Sequence, residues 1–358
     1  MIRLRRAWFQ IHKWLGITLA VFIIPLSLTG AVLVWHDWLD EQVNPQRYPE
    51  ITAPLLQPSA YAASAATLAK PGERIADMDL PVERGSVQVT LVKPAPDGRP
   101  LRTWVWLDPK TAKPIERAVA GEGLLRTMHI IHGSLMIPDV GRKIVGWVGF
   151  AMLMSSLTGL WLWWPLKGKV TAGFRWKRRP DYSSNLHHLG GFWIAIPLAV
   201  LSFTGVWICF PAMFSVSVRS PPQVKLLEQP NLNFDRAMEA AQLLVHGRAA
   251  SISWPTDEKP EWAVTISGDG KPQEVKVADS DAGAKLVPPK PETLARTMRR
   301  IHDGTGMPLL WKIVIFVGGI LPAVLAVTGI LMWLRMRGRR ARHRRKMGDL
   351  VEAEALAS

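Results

Sequence analysis

Four long apolar runs without a charged residue limit most strongly how this chain can fold. They cover residues 15–35, 144–164, 189–210 and 313–334. Each is about 21 residues long, and a helix that rises about 1.5 Å per residue then spans the roughly 30 Å hydrocarbon core of a bilayer. Tryptophans near the ends of the runs resemble an interfacial aromatic belt. The pattern predicts a membrane protein with four transmembrane α-helices.

The positive charge lies in three segments that alternate with the runs. Segments 1–14, 166–186 and 335–358 hold 18 Lys and Arg and four acidic residues, and so carry +14 of the net charge of +15. The positive-inside rule therefore places both termini and loop 166–186 in the cytoplasm. The basic tail fits anionic lipid better than nucleic acid, which we do not expect as a partner.

A repeat relates the two halves of the chain. Residues 124–132 (LLRTMHIIH) return 170 residues later as residues 294–302 (LARTMRRIH), and a second match joins the starts of the first and third runs. We infer a duplicated half with its symmetry axis along the membrane normal. The matched positions are His12 with His187, His132 with His302, and the pairs Thr29-Gly30 with Thr204-Gly205 and Thr158-Gly159 with Thr328-Gly329.

The two segments between runs on the other side of the membrane have mixed helix and strand patterns. Each reads as one helix with three or four strands, a small α+β module of about 80 residues for which burial alone would leave stability marginal. Docking onto the membrane helices or onto the other module would help. The predicted helices are 61–69 and 234–245, and the predicted strands are 86–92, 102–107, 250–254, 261–266 and 274–278.

The repeat-matched histidines predict two cofactor sites. His12 and His187 lie at the cytoplasmic side and His132 and His302 at the external side, so twofold repetition brings each pair towards the axis of the bundle. Paired axial imidazoles suit low-spin haem iron that passes single electrons. The only cysteine, Cys209, lies inside a run, so any haem would be held without thioether bonds.

Neighbouring residues leave alternatives at both sites. His188 follows His187 and is a fallback ligand, and His129 shares a helix face with His132 but is matched by Arg299 in the other half. The small Thr-Gly pairs favour close helix packing, and a cofactor ring could also use the space beside them. Cations that could meet haem propionates are Lys13, Arg178, Arg179, Arg126, Arg142, Arg296 and Lys312.

Five short motifs resemble the PepSY-associated transmembrane family. They are Ile11-His-Lys-Trp-Leu-Gly16, Ser27-Leu-Thr-Gly30, Met128-His-x-x-His-Gly133, Leu186-His-His-x-Gly190 and Ile301-His-Asp-Gly304. The family includes proteins similar to di-haem reductases of the bacterial inner membrane that act on ferric siderophores. The resemblance implies two b-type haems, periplasmic PepSY modules and transmembrane electron transfer, with His12, His187, His132 and His302 as the ligands.

The predicted organisation is a duplicated membrane half with two external modules. Its segments are a cytoplasmic N-terminus (1–14), the first span (15–36), PepSY-like module 1 (37–123), a haem-side helix with the second span (124–165), a basic loop (166–186), the third span (187–210), PepSY-like module 2 (211–291), a haem-side helix with the fourth span (292–334) and a basic cytoplasmic tail (335–358).

Two other functions compete with a haem-dependent ferric reductase. One is a siderophore or metal transporter without haem, although the centres of the runs carry no ionisable residue of the kind transporters use. The other is a non-catalytic membrane protein whose PepSY modules bind peptides or regulate. The sequence has no dinucleotide-binding glycine fingerprint, so a reductase would take electrons from a quinol or a cytoplasmic reductase.

Overall fold

The protein divides into two compact units, each built from segments that are distant in sequence. The computed structural model describes residues 2–94, 100–165, 169–174, 181–214, 225–268, 270–289 and 291–357. The helical unit comprises Met1–His36, Leu125–Val218 and Glu292–Ser358. The sheet unit comprises Asp37–Leu124 and Arg219–Pro291.

Each part of the chain has a long helix, a short helix, four strands, a short helix and a long helix in that order, and the first part has one additional short helix, His36–Val43. The α-helices are α1 (Ile2–Leu33), α2 (His36–Val43), α3 (Pro58–Thr67), α4 (Leu124–Ser134), α5 (Gly141–Trp163), α6 (Tyr182–Cys209), α7 (Phe234–Leu244), α8 (Leu294–Asp303) and α9 (Leu309–Ala357). The strands are β1 (Arg74–Asp79), β2 (Val87–Lys93), β3 (Leu101–Leu107), β4 (Pro114–Val119), β5 (Arg248–Ser253), β6 (Glu261–Ser267), β7 (Gln273–Ala278) and β8 (Ala284–Leu286).

The prediction of four apolar helices able to cross a membrane is confirmed. They are Arg3–Leu33, Gly141–Trp163, Tyr182–Cys209 and Leu309–Met347, within α1, α5, α6 and α9. Large apolar side chains on their outer faces are exposed, including Val21 (68%), Trp193 (67%) and Ile196 (67%). So much exposed apolar surface is what a lipid-facing helix carries and what a water-facing helix avoids.

The four long helices pack as a closed ring. Helix α1 packs on α5 and α9, and α6 packs on the same two helices. Small residues allow the closest approaches, because a Cβ added at Gly319 of α9 would lie 2.7 Å from the Cβ of Ala31 in α1. Lipid tails are as apolar as the helix surfaces, so the hydrophobic effect does not drive helices together in a bilayer. Close packing of this kind stabilises the helix contacts instead.

A tight turn separates each of the short helices α4 and α8 from the long helix that follows it. Helix α4 ends at Ser134, and α5 begins at Gly141 after Leu135, Met136 and Asp139 have adopted positive φ angles. Helix α8 ends at Asp303, and its C-cap residue Gly304 has a left-handed φ of 77° that suits glycine. The turns redirect the chain so that α4 and α8 are distinct from the spans.

The sheet unit joins strands from its two sequence segments, Asp37–Leu124 and Arg219–Pro291, in one antiparallel sheet. The strand order is β4-β3-β2-β1-β5-β6-β7-β8, and β1 pairs with β5 through Asp77 with Ser253, Met78 with Ile252 and Asp79 with Ser251. Two small modules were expected, with docking of one module onto the other as one way to stabilise them, and in the structure the two segments share one sheet. This pairing gives each four-stranded segment the partner that its small size requires.

One hydrophobic core serves the whole sheet unit. Helix α3 packs on β1, β2 and β3, and α7 packs on β5 to β8. Tyr61, Met78 and Leu91 from the first segment belong to the same fully buried cluster as Ile252 and Trp262 from the second. The core therefore crosses the β1–β5 junction.

Candidate functional site

The helical unit brings the four repeat-matched histidines together as two pairs. His12 of α1 and His187 of α6 form the inner pair, with ring centres 6.3 Å apart. His132 of α4 and His302 of α8 form the outer pair, with ring centres 6.0 Å apart. These names follow the predicted cytoplasmic and external sides.

The two pairs lie near opposite ends of α1. His12 lies in the first turns of α1. His132 of α4 contacts Leu26 and Thr29, which lie close to the C-terminal end of α1. These contacts are 14 to 17 residues from His12, which corresponds to roughly 20–25 Å along a helix. The helical unit thus holds one histidine pair at each end.

A backbone carbonyl fixes the orientation of each imidazole. The Nδ1 atom of His132 lies 2.8 Å from the Leu26 oxygen, that of His302 lies 3.0 Å from the Leu201 oxygen, and that of His12 lies 3.1 Å from the Ser155 oxygen. The Nδ1 atom of His187 lies 3.0 Å from the Thr328 hydroxyl oxygen, and the Leu325 backbone is the acceptor beside this ring. A carbonyl only accepts, so Nδ1 donates and the lone pair of the neutral ring is on Nε2.

The Thr-Gly pairs complete the seats of these imidazoles. In every case the accepting carbonyl lies three residues before the threonine, and the hydroxyl oxygen of that threonine is also near Nδ1. The Oγ1–Nδ1 distances are 3.5 Å for Thr29 and His132, 3.3 Å for Thr158 and His12, 3.0 Å for Thr204 and His302, and 3.0 Å for Thr328 and His187.

Each glycine of these pairs lies against the ring that its threonine holds. An added Cβ would meet the Cε1 atom of the imidazole at 2.7 Å for Gly30 and His132, 3.1 Å for Gly159 and His12, 3.2 Å for Gly205 and His302, and 3.4 Å for Gly329 and His187. We call each carbonyl, threonine and glycine set a histidine seat. The sequence indicated packing at Thr-Gly, and the structure identifies a histidine ring as the packed partner.

The histidine seats were not anticipated, although a signal for them existed. Each of the four long helices supplies one seat: α1 for His132, α5 for His12, α6 for His302 and α9 for His187. The Thr-Gly pairs recur at the same spacing as the histidines, which links the two patterns. The carbonyl contact itself is between distant residues and could not be read from spacing.

A large cavity opens beside the inner pair. It has a volume of about 770 Å³, and both His12 and His187 line it. Its walls include apolar residues such as Ile194 and Leu325. Its basic lining residues are Arg5, Arg6, Lys13, Arg335 and Arg339.

Only one of the predicted cations lines this cavity within the part of the chain that the structure describes. Lys13 lies there, whereas Arg126, Arg142, Arg296 and Lys312 do not, and Arg178 and Arg179 lie outside the described residues. The other four basic lining residues come from the two ends of the chain. In the sequence they counted only among the basic residues by which the positive-inside rule assigns the termini to the cytoplasm.

The two fallback histidines face other aromatic rings. His188 stacks on Trp163, with ring centres 5.9 Å apart and planes 28° apart, and lines the same cavity. His129 donates from Nδ1 to the Leu125 carbonyl of its own helix at 3.1 Å and contacts the ring of His36. The structure therefore pairs His12 with His187 and His132 with His302.

The outer pair is half-buried, and its surroundings favour the neutral form of both imidazoles. Burial lowers the pKa of His132 and His302 below that of an exposed imidazole, and for His302 the nearby His132 adds to the effect. A neutral imidazole is the form that binds a metal ion.

The donor set fits an iron porphyrin better than a bare metal ion. Among the described residues, no group of three or more His, Cys, Asp and Glu side chains is placed to hold a metal. A metal–imidazole bond is about 2 Å long and the ring nitrogen lies about 1 Å from the ring centre, so two axial imidazoles have centres about 6 Å apart. Both pairs have this separation, and a porphyrin supplies the remaining four nitrogens itself.

Sequence comparison assigns a family to nearly the whole chain. Residues 9–335 match the family described as the PepSY-associated TM region. No curated protein matches the sequence. The matched residues include all four histidines of the two pairs and their four seats.

Proposed function

The chain belongs to the PepSY-associated TM family, and from this premise we propose that it is a haem-dependent oxidoreductase of the bacterial inner membrane. It carries electrons across the bilayer through two bis-histidine b-type haems. It reduces a ferric chelate in the periplasm, of the ferric siderophore class, and so releases the iron.

One observation carries this proposal. Two histidine pairs at opposite ends of the helical unit have ring centres 6.3 Å and 6.0 Å apart. All four Nδ1 atoms lie within 3.5 Å of a seat threonine hydroxyl, and those of His12, His132 and His302 are also bonded to a backbone carbonyl. The bond at Nδ1 leaves the lone pair on Nε2, where an axial ligand needs it. A fourfold repetition of this orientation supports a common role for the four rings.

The residues around the inner pair would give a haem a pocket of sufficient volume, apolar walls and cations for its propionates. The cavity of about 770 Å³ beside His12 and His187 has the size of a cofactor pocket. Its apolar walls would contact the macrocycle, and the basic residues at its lining would meet propionates. Haem b would supply one-electron redox chemistry at each site.

The chain's own residues set the conditions for that chemistry. The histidine seats hold the imidazoles in one tautomer and keep them from turning. The apolar walls exclude water and raise the cost of charge near the cofactor. Two histidines holding one haem would leave no position for oxygen, so the pairs would serve electron transfer and not oxygen binding.

The direction of electron flow follows from the proposed topology. The positive-inside rule puts both termini in the cytoplasm, and a duplicated half with PepSY-type segments then faces the periplasm. The electron donor would be a quinol or a cytoplasmic reductase. The acceptor would approach the outer pair.

Absorption spectroscopy of the detergent-purified protein tests the proposal. We expect two haems per chain in the wild type and loss of one of them in His12→Ala, His187→Ala, His132→Ala or His302→Ala. The matched control is His246→Ala, an exposed histidine of the sheet unit, which should keep both. A wild-type protein grown with sufficient haem that shows no Soret band would overturn the proposal and favour a transporter or a regulatory membrane protein.

A further inference from the structure

A third histidine pair lies in the helical unit, outside the two pairs described above. His36, at the start of α2, and His129 of α4 have ring centres 6.4 Å apart with planes at 80°. Both residues are exposed. His129 precedes His132 by three residues on α4, so the third pair lies near the outer pair.

Backbone carbonyls orient these two rings as they orient the other four. The Nδ1 atom of His36 lies 3.0 Å from the Leu33 oxygen, and that of His129 lies 3.1 Å from the Leu125 oxygen. Since a carbonyl only accepts, both Nδ1 atoms donate and both lone pairs are on Nε2. Two imidazoles in the metal-binding tautomer therefore lie side by side.

The spacing is close to what a shared metal ion needs. Two imidazoles bound to one ion have ring centres up to about 6 Å apart, since each metal–nitrogen bond is about 2 Å long. The observed 6.4 Å is within reach of a small side-chain rotation at an exposed position. Two protein ligands leave further coordination positions open. Such a site suits an ion that binds transiently more than a structural ion, which four protein ligands usually hold.

The pair is present in only one half of the chain. In the other half, Arg299 takes the place of His129 and Pro211 takes the place of His36. Neither arginine nor proline offers a metal-binding side chain. The third pair is therefore not a by-product of the symmetry that generates the inner and outer pairs.

We infer that His36 and His129 form a transit site for the ferrous ion released by the reductase. The inference rests on the proposed function for its source of Fe²⁺. One electron delivered from the outer pair converts Fe³⁺ of the chelate to Fe²⁺, with no other bond change in the protein. The Fe²⁺ ion then exchanges the hard oxygen donors of the chelate for two neutral imidazoles and water, because imidazole suits divalent iron.

Metal titration of the full-length, detergent-purified protein tests this site independently of catalysis. The probes are Fe²⁺ under anaerobic conditions and Cu²⁺ followed by electron paramagnetic resonance. We expect one ion per chain and a Cu²⁺ signal with two nitrogen ligands. Even an outer-shell change at a metal site costs about 10- to 100-fold in affinity, so His36→Gln and His129→Arg should weaken binding at least as much.

The control variants separate this inference from the proposed function. His129→Arg installs the residue that the other half carries, and His246→Gln removes an exposed histidine elsewhere and should leave binding unchanged. Haem content should remain at two in all three variants. Binding that survives both His36→Gln and His129→Arg would overturn the site and leave only a ring contact.

Three further outcomes would each count against the site in a different way. Loss of a haem in His129→Arg would overturn the transit site, because His129 would then support the outer haem. A wild-type protein that binds Fe²⁺ but holds no haem would overturn the role as receiver of a reduced product. A protein with two haems and no bound metal ion would refute this inference and leave the reductase proposal intact.

Discussion

The inner and outer histidine pairs have the same kind of seat, but they belong to different kinds of helix. His12 and His187 belong to spanning helices, whereas His132 and His302 belong to the short helices α4 and α8. The inner pair borders a cavity of about 770 Å³, which the outer pair does not line. The inner site is therefore set by packing among the spans, and the outer site also depends on the turns that place two short helices.

The turns that follow α4 and α8 are stabilised by different interactions. Arg300 of α8 forms an ion pair with Glu292 at 2.6 Å and donates to the carbonyls of Thr305 and Gly306. The indole of Trp311 donates to the Ile301 carbonyl at 2.9 Å, next to His302. Helix α4 has Ile130 at the position matching Arg300, and its turn instead uses three non-glycine residues with positive φ. Disturbing the turns should therefore affect the outer pair first.

The seat glycines should give the largest difference between the pairs. In Gly30→Ala the new Cβ would lie 2.7 Å from the ring of His132, closer than real Cβ contacts, so the ring must move. In Gly329→Ala the corresponding distance to His187 is 3.4 Å, an ordinary contact. We expect Gly30→Ala to lose most of the outer haem, measured by pyridine haemochrome content.

The matched Gly329→Ala variant should retain both haems. Equal losses in the two variants would mean that helix packing in general, and not contact with a particular ring, explains why Thr-Gly and histidine recur at the same spacing in this chain.

The next effect concerns the turn after α8. Gly304 has a φ of 77°, so Gly304→Ala should destabilise the protein by about 1–2 kcal/mol. Gly133 is helical and a Cβ added there would meet no atom within 4 Å, so Gly133→Ala should stabilise α4 by about 0.5–1 kcal/mol. Thermal unfolding in detergent should show opposite shifts, and two shifts of the same sign would contradict the role assigned to the turn.

Threonine hydroxyls should have smaller effects. Thr204 Oγ1 lies 3.0 Å from Nδ1 of His302, and Thr29 Oγ1 lies 3.5 Å from Nδ1 of His132. Thr204→Val should weaken the interaction that orients the His302 imidazole by about 0.5–1.5 kcal/mol, the range for one hydrogen bond. The measurement is the rate of haem transfer to an apoprotein acceptor. An equal or larger effect of Thr29→Val would show that distance to the hydroxyl does not control ring retention.

The smallest effect is expected at the edge of the inner cavity. Arg335 bonds to Asp181 at 2.8 Å and is 50% exposed, so solvent screens the pair. Arg335→Ala should lower stability by less than about 1 kcal/mol. It should nevertheless shift the reduction midpoint of the inner haem alone, because it removes a positive charge from the cavity lining. An equal shift at the outer haem would contradict the assignment of this cavity to the inner pair.

The spans and the histidine pairs could be predicted because their signals are local or repeated. Charge-free runs mark the spans, and the 17-residue spacing joins His12 to Thr29 as it joins His187 to Thr204. The proposed ligand roles remain predictions. The cavity, the carbonyl bonds and the His36–His129 contact could not be predicted, because each depends on side chains from helices that are distant in sequence.

Three strands were missed for different physical reasons. Strand β1 contains Asp77 and Asp79, which interrupt the apolar alternation expected of a strand in the middle of a sheet. Strand β4 begins with Pro114, and β8 has only three residues, as edge strands often do. Besides β2, strand β1 pairs with β5, about 170 residues away, so no local pattern predicts the junction.

The β1–β5 junction also sets an order of events during synthesis. Residues 74–79 leave the ribosome long before residues 248–253, and at about 5–20 residues per second the delay is roughly 10–35 s. During that interval the first four strands have an unpaired edge at β1, open to pairing with other chains. The cell must therefore shield a half-built sheet until the second half of the chain arrives, and a truncated product would keep that edge permanently.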